Sequence, residues 1–161
     1  MMLIIESIIL CMLFTLFVYI ISNKPIKTLY NYPPKIQQRV KSLDQYKDKI
    51  PTQKNKIFAK LSASLIIIVL LSLLLHYVNN CSTFSEAFLQ GFILWSIVNI
   101  YDVFIIDICW FCHSKKFIFE GTEDMTNEYH NYLYHIKQGF VGELIGFIVC
   151  IVVGIIIQYI I

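Results

Sequence analysis

Charged residues are scarce in this 161-residue chain, where Asp, Glu, Lys and Arg make up 15% of the sequence and apolar residues make up 57%. A water-soluble protein of this length needs more polar residues to cover its core, so the composition excludes the ordinary soluble class. The mean hydropathy of +0.65 indicates instead an integral membrane protein.

Other features are missing as well. The first apolar run has no basic residue before it and no small-residue cleavage site, and it is long, so we expect it to be retained rather than removed as a signal peptide. The cysteines do not indicate a secreted disulfide framework, because their number is odd and three of the five lie within apolar runs: Cys11, Cys109 and Cys150.

Four apolar stretches are long enough to cross a bilayer core of about 30 Å as helices. They cover residues 2–22, 57–78, 84–111 and 139–161. Helices are expected because lipid offers no partner to an unpaired backbone group. The sequence therefore predicts one all-α domain, a four-helix transmembrane bundle with connecting loops at 23–56 and 112–138.

The basic residues predict the orientation of this bundle. Ten of the thirteen lie between Lys24 and Lys60, and the other three are Lys115, Lys116 and Lys137. The turn at 79–83 and both termini contain none. Because loops rich in Lys and Arg stay in the cytoplasm, we expect a multi-pass protein of the cell membrane with both termini on the outer side.

The first loop combines a rigid start with a basic stretch. Tyr32-Pro33-Pro34 ends any preceding helix. Apolar residues then recur near helical spacing among the lysines of residues 35–50, which fits a surface helix that contacts anionic lipids of the inner leaflet. A solvated connector explains the pattern equally well, and neither interpretation requires nucleic acid.

Glycine is absent from the first ninety residues and recurs in the last apolar run. Gly142, Gly146, Cys150 and Gly154 follow a four-residue spacing, which makes a groove that lets another helix approach closely. Packing within the chain is the favoured interpretation. A homo-oligomer or another membrane protein as the partner is the alternative.

Polar residues interrupt the apolar runs at the predicted cytoplasmic side. An ionisable group in hydrocarbon costs about 2.5 to 3.5 kcal/mol, so it tends to face a partner or a water-filled cavity. The third run predicts one broad polar face, and a helix starting near Asn127 would align further polar groups on the fourth. The resulting candidate ligand or ion pocket consists of Asn99, Asp102, Asp107, Glu128, His135 and Glu143.

Three further ionisable residues, Glu6, His76 and Glu86, lie near the opposite helix ends, where we expect them to reach the interface. The pocket residues suit a divalent cation or a proton relay through His135. They match no defined metal motif, however, and the sequence identifies neither a catalytic residue nor a cofactor. The plainer alternative is that Asp102 and Asp107 bond the backbone or pair with Lys115 and Lys116.

The pair Cys109-x-x-Cys112, followed by His113, resembles a thiol-exchange or zinc motif. We do not favour either role, because the pair ends a membrane helix on the reducing side and the other face carries only Cys81.

The motifs Asp102-x4-Asp107 and Gly121-Thr122-Glu123, then Tyr129, Tyr132, His135 and Gly139, resemble the second half of a family of small bacterial four-span membrane proteins of unassigned function. Tyr32-Pro33-Pro34 is similar to that family too. The resemblance implies a shared four-helix fold and no particular activity.

Three functional hypotheses follow from the sequence. The first is a cytoplasm-facing carboxylate and histidine pocket that binds a small polar ligand, a lipid headgroup or a cation. The second is a small transporter or proton-coupled carrier subunit, although the runs lack the paired Gly or Pro interruptions typical of transport sites. The third is a helper that binds another membrane protein through the glycine groove.

Overall fold

The computed structural model describes residues 2–160, apart from the side chains of residues 53 and 56. Within that range the chain is 84% helical and has no strand. The α-helices are α1 (Met2–Ile21), α2 (Pro34–Ser42), α3 (Gln53–Leu73), α4 (Phe84–Tyr101), α5 (Thr126–Tyr129) and α6 (Tyr132–Tyr159), with short 3₁₀ turns between them at Pro25–Asn31, Asp44–Lys49, Lys115–Phe117 and Glu123–Met125.

Four of the described helices are long and apolar enough to cross a membrane, which confirms the predicted helical class and the predicted number of long helices. They span Met2–Ile21, Ile57–Val78, Phe84–Phe111 and Tyr132–Tyr159. The last one begins earlier than the sequence indicated, at a break after α5. Asn131 makes that start possible, because its side chain accepts a hydrogen bond from the Tyr134 backbone N–H at 3.1 Å.

Two of the long helices change to π-helical geometry at one end. α3 continues over Leu74–Val78 and α4 continues over Asp102–Phe111. The Cys112 N–H donates to the Asp107 carbonyl at 3.0 Å, five residues back, and this longer step widens the helix. The π-helical end of α4 determines where the two aspartates point.

The helices α4 and α6 form the central pair, with α1 packed on α4 and α3 packed on α6. Glycines let the central pair approach closely. A Cβ on Gly146 would lie 2.0 Å from Trp95 Nε1, and one on Gly139 would lie 2.4 Å from a methyl group of Val103. The Trp95 indole N–H also donates to the Gly142 carbonyl at 3.2 Å, so a polar contact reinforces the close packing.

Residues 22–56 and 112–131 fold together over one end of the bundle, which we call the cap end; the opposite end, with the turn at residues 79–83, is the turn end. Tyr32 lies at the centre of the cap, 1% exposed, with its ring 4.8 Å from that of Phe111 and 4.9 Å from that of Phe119. Ile36 and Val40 of α2 are fully buried in the same cluster. The apolar face of the basic segment therefore packs inside the protein, an arrangement that neither sequence interpretation included.

Ion pairs hold the two parts of the cap together at its surface. Lys35 Nζ lies 2.5 Å from Glu128 Oε1, and Arg39 lies 3.8 Å from Asp124. These pairs are partly exposed, so each contributes about 1 kcal/mol at most, and the aromatic cluster is the main source of stability.

Candidate ligand-binding site

A cavity of about 330 Å³ lies at the cap end, between α1, α4, α6 and the cap; we call it the carboxylate cavity. It combines acidic and amide side chains with a wall of aromatic and aliphatic ones. The lining residues are Phe14, Phe17, Val18, Ile21, Ser22, Thr28, Tyr30, Asn31, Tyr32, Asp102, Ile106, Asp107, Phe111, Phe117, His135 and Gln138.

Asp102 and Asp107 both line this cavity from the π-helical end of α4. In a regular α-helix, residues five apart point in directions about 140° apart, which would turn one aspartate away from the other. The wider π-helical turn brings residues five apart closer in direction. The local geometry of α4 thus concentrates both carboxylates at one site.

His135 enters the cavity from the first turns of α6 and is 2% exposed. Its Nδ1 lies 3.0 Å from Asp107 Oδ2, so the Nδ1–H donates to the carboxylate and fixes the orientation of the ring. Its Nε2 is buried and has no hydrogen-bond partner within residues 2–160. The described residues therefore leave this ring nitrogen unpaired, although an unpaired buried polar atom is costly.

Tyr32 links the cavity to the cap, because its ring belongs to the aromatic cluster and its side chain also lines the cavity. Burial raises the pKa of the Tyr32 hydroxyl far above its ordinary range, and nearby Tyr129 adds to the effect. The hydroxyl therefore stays protonated at any physiological pH and offers a neutral O–H beside Thr28.

The charged side chains that line the cavity are mainly acidic. Two carboxylates and one imidazole line it, and neither a lysine nor an arginine is among the described lining residues. The opposite wall presents aromatic rings, including Phe14 and Phe17 of α1. Carboxylates together with aromatic faces favour a positively charged group over an anion, because both attract a cation.

A metal ion fits less well than an organic cation. Among the described residues there is no group of three or more His, Cys, Asp or Glu side chains arranged to hold a metal. Cys109, Cys112 and His113 are included in that result, so the described residues form no zinc site there. The His113 ring instead contacts the Ile108 carbonyl at 2.9 Å and the Tyr132 hydroxyl at 3.3 Å.

The structure places the remaining predicted pocket residues elsewhere. Asn99 donates to the Gly139 carbonyl at 3.0 Å and to the Glu143 carboxylate at 2.8 Å, and the Ser96 hydroxyl also hydrogen-bonds Glu143. These contacts join α4 to α6 outside the carboxylate cavity. Glu128 lies in α5 rather than on α6 and pairs with Lys35, so the predicted set divides into a cavity, an interhelical cluster and a surface ion pair.

The glycine stripe faces α4 of the same chain. A Cβ on Gly142 would lie 2.6 Å from Asn99 Oδ1, and one on Gly154 would lie 2.7 Å from the Phe84 ring. Cys150 is fully buried in the same interface. The glycine groove on which the helper hypothesis was based is therefore filled by α4 of the same chain.

Several cavity residues escaped the sequence analysis. Four of them belong to α1, whose uniformly apolar sequence contains no signal that distinguishes the residues facing the cavity from those on its outer face. Gln138, next to the predicted start of the fourth run, is a polar residue that the helical stripe could have included, since it lies three positions after His135.

The two cysteines at the end of α4 are expected to differ in reactivity. Cys112 is 4% exposed, and burial raises the pKa of its thiol to about 12, with Asp107 and Cys109 adding to the effect. Since the thiolate is the nucleophile, Cys112 should react with maleimide more slowly than exposed Cys109 across pH 7 to 9. Mass spectrometry of labelled peptides from Cys109→Ser and Cys112→Ser variants measures this. Equal labelling of both positions would contradict the buried placement of Cys112.

Comparisons of this chain with protein-family models, with curated proteins and with solved structures found no match.

Proposed function

We propose that this protein spans the cell membrane with its cap in the cytoplasm and that the carboxylate cavity binds a small organic cation. One observation carries the proposal: Asp102, Asp107 and His135 line a single cavity that has aromatic walls and no lysine or arginine among its described lining residues. The proposal concerns binding. No bond-making step is part of it.

Desolvation explains why a cation is the favoured ligand. Two carboxylates that line one cavity repel one another, and the partial burial of both removes some of the water that would stabilise their charges. His135 hydrogen-bonds one of them, since its Nδ1 lies 3.0 Å from Asp107 Oδ2. A ligand with one positive charge would compensate Asp102, which forms no ion pair with another described residue.

The size of the cavity constrains the ligand. At about 330 Å³ it is near the lower end of the range of small-molecule pockets, about 300 to 1,000 Å³. Apolar side chains of α1 cover one side, among them Phe17 and Val18. A compact amine or quaternary ammonium ion with an aromatic or aliphatic body satisfies both the charge and the apolar wall.

Equilibrium binding of benzyltrimethylammonium to the purified full-length protein in detergent tests the proposal. We expect saturable binding to the wild type and at least tenfold weaker binding to Asp102→Asn and Asp107→Asn, a loss of about 1.4 kcal/mol or more. Neopentylbenzene, a neutral molecule of nearly the same shape, should bind far more weakly because it lacks the charge.

The matched control is Glu128→Gln, which removes a carboxylate from the cap surface without touching the cavity. It should bind benzyltrimethylammonium as the wild type does. Equal binding of the charged and neutral molecules, or equal losses in Glu128→Gln and Asp102→Asn, would refute a cation site at this position.

The proposed orientation follows from the distribution of charge, since the loops that contain the basic residues meet at the cap end. Lys116 lies over the Tyr19 ring at 4.1 Å, as expected of a lysine near a membrane interface. We also propose that anionic lipids contact the lysines of the cap. A groove of about 700 Å³ beside the start of α3 includes Lys27, Lys49 and Lys60.

A second candidate function is that of a small cation carrier. It is favoured by the polar clusters at three levels along α4, which centre on Gln90, on Asn99 and on the two aspartates. Reconstituted vesicles distinguish the two functions. Uptake of labelled benzyltrimethylammonium that Asp102→Asn abolishes would indicate transport, whereas binding without any flux would leave the protein as a receptor or sensor.

A further inference from the structure

Glu6 is an unusual carboxylate at the turn end of the bundle. Its position near a helix end suggested that it reaches the interface, yet the structure buries it to 8% exposure on the face of α1 that packs into the bundle. This site is separate from the carboxylate cavity, whose lining does not include Glu6.

Hydrogen bonds tie Glu6 to two other parts of the chain. The Asn79 side-chain amide donates to Glu6 Oε2 at 3.1 Å and to Gln90 Oε1 at 3.1 Å. Asn79 follows the π-helical end of α3, and Gln90 belongs to α4. The cluster therefore joins α1, α3 and α4 through a single amide group.

Two oxygen atoms of this cluster lack a donor. Glu6 Oε1 and Asn79 Oδ1 are both buried and have no hydrogen-bond partner within residues 2–160. In the described part of the chain, no lysine, arginine or histidine forms an ion pair with Glu6. An acceptor that is buried without a partner costs about 1 to 3 kcal/mol, and more if it is charged.

Within residues 2–160, the neighbouring titratable groups do not provide the missing positive charge. Glu86 of α4 is exposed, and its carboxylate is already satisfied by the backbone N–H groups of Ser82 and Thr83 at 3.2 and 3.3 Å. The His76 ring contacts the Cys81 carbonyl at 3.3 Å. Burial raises the pKa of the Cys81 thiol, with Glu86 and Glu6 adding to the effect, so Cys81 stays neutral. From α6, the nearby polar group is the uncharged Gln158, which accepts from the Phe84 N–H.

We propose that Glu6 and Asn79 bind Na⁺ from the aqueous phase at the turn end. One positive charge compensates the single carboxylate, and oxygen acceptors are the ligands that small hard cations prefer. A divalent ion would leave an excess charge, because the cluster contains one acidic side chain. A bound cation would link α1 to the turn at Asn79, because Glu6 Oε1 and Asn79 Oδ1 would both coordinate it.

Dicyclohexylcarbodiimide tests the proposal on the full-length protein, because it modifies protonated carboxyl groups in apolar surroundings. We expect mass spectrometry of the labelled peptides to find at least tenfold more adduct at Glu6 than at exposed Glu86. Replacing choline with 100 mM Na⁺ at constant pH tests the proposed occupant. A tenfold drop in Glu6 labelling would support Na⁺, and unchanged labelling would contradict it.

Thermal unfolding provides a second measurement that does not depend on access of the reagent. In the wild type, Na⁺ in place of choline should raise the midpoint by about 3 °C or more. Glu6→Gln should abolish this response because the amide carries no charge, while Glu86→Gln should keep it. The proposal is overturned if Na⁺ leaves Glu6 labelling unchanged, or if the midpoints of wild type and Glu6→Gln respond alike to Na⁺.

Discussion

Gly146→Ala is expected to destabilise the protein by about 2 to 4 kcal/mol, the sum of an overpacked interface and a lost hydrogen bond. The added Cβ would lie 2.0 Å from Trp95 Nε1 and 2.2 Å from Trp95 Cδ1. The indole cannot yield cheaply, because its N–H is bonded to the Gly142 carbonyl at 3.2 Å. A lower midpoint of thermal unfolding, followed in detergent by size-exclusion chromatography, would show the effect.

Leu144→Ala is the matched control for this substitution, since Leu144 lies two residues away on α6 and its side chain is 68% exposed. Its midpoint should stay close to that of the wild type. If Gly146→Ala and Leu144→Ala gave the same midpoint, the close contact between α4 and α6 would be wrong.

Tyr32→Ala is expected to remove the centre of the cap. Deleting a buried aromatic ring typically costs about 3 to 5 kcal/mol, and Tyr32 packs against the rings of Phe111, Phe119 and Tyr129. The loss should be local to the cap, because the bundle beneath has its own packed interface. Limited proteolysis should therefore cut residues 23–56 at least tenfold faster in the variant, while the bundle stays intact.

Two controls separate this effect from a general one. Tyr32→Phe keeps the ring and should retain most of the protection, whereas Tyr77→Ala removes a tyrosine that is 68% exposed on α3 and should leave the cleavage rate unchanged. If Tyr32→Ala were cleaved as slowly as the wild type, the aromatic cluster would not be what holds the cap in place.

The long helices could be predicted from the sequence because hydrocarbon imposes a single demand, an apolar stretch of sufficient length. Two of the four long helices, α1 and α4 with its π-helical end, agree with their predicted bounds to within one residue, whereas α3 starts four residues and α6 seven residues earlier than expected. The early start of α6 arises at Asn131, whose capping side chain starts the helix in a polar segment where hydropathy carries no information.

The site was predictable only in part. Asp102, Asp107 and His135 were identified by their polarity, but a projection at 100° per residue cannot represent the π-helical end of α4. Glu143 lies only eight residues after His135 on α6, and its partners Ser96 and Asn99 could not be assigned without knowing how α4 and α6 rotate against each other. A side chain's position along its helix predicts which end of the bundle it lies near, whereas the rotation of the helix about its axis decides its partner.

The burial of the cap residues and of Glu6 could not be predicted from the sequence either. Residues 35–50 display an apolar face, but periodicity does not tell whether lipid, water or the rest of the chain covers it. The structure shows that Tyr32 and Tyr129 cover part of it, and the residues that form this cluster come from both loops. Glu6 was expected at an interface because of its position along α1, while its burial depends on the approach of the Asn79 turn.

Selective ¹⁵N labelling of histidine tests the central proposal most directly, because the chain has four histidines and only His135 lines the carboxylate cavity. Titration with benzyltrimethylammonium should shift the imidazole resonances of His135, assigned by a His135→Gln variant. The signals of His76, His113 and His130 should stay in place. Binding that leaves the His135 resonances unmoved, or that moves those of the other histidines instead, would contradict a cation site beside Asp102 and Asp107.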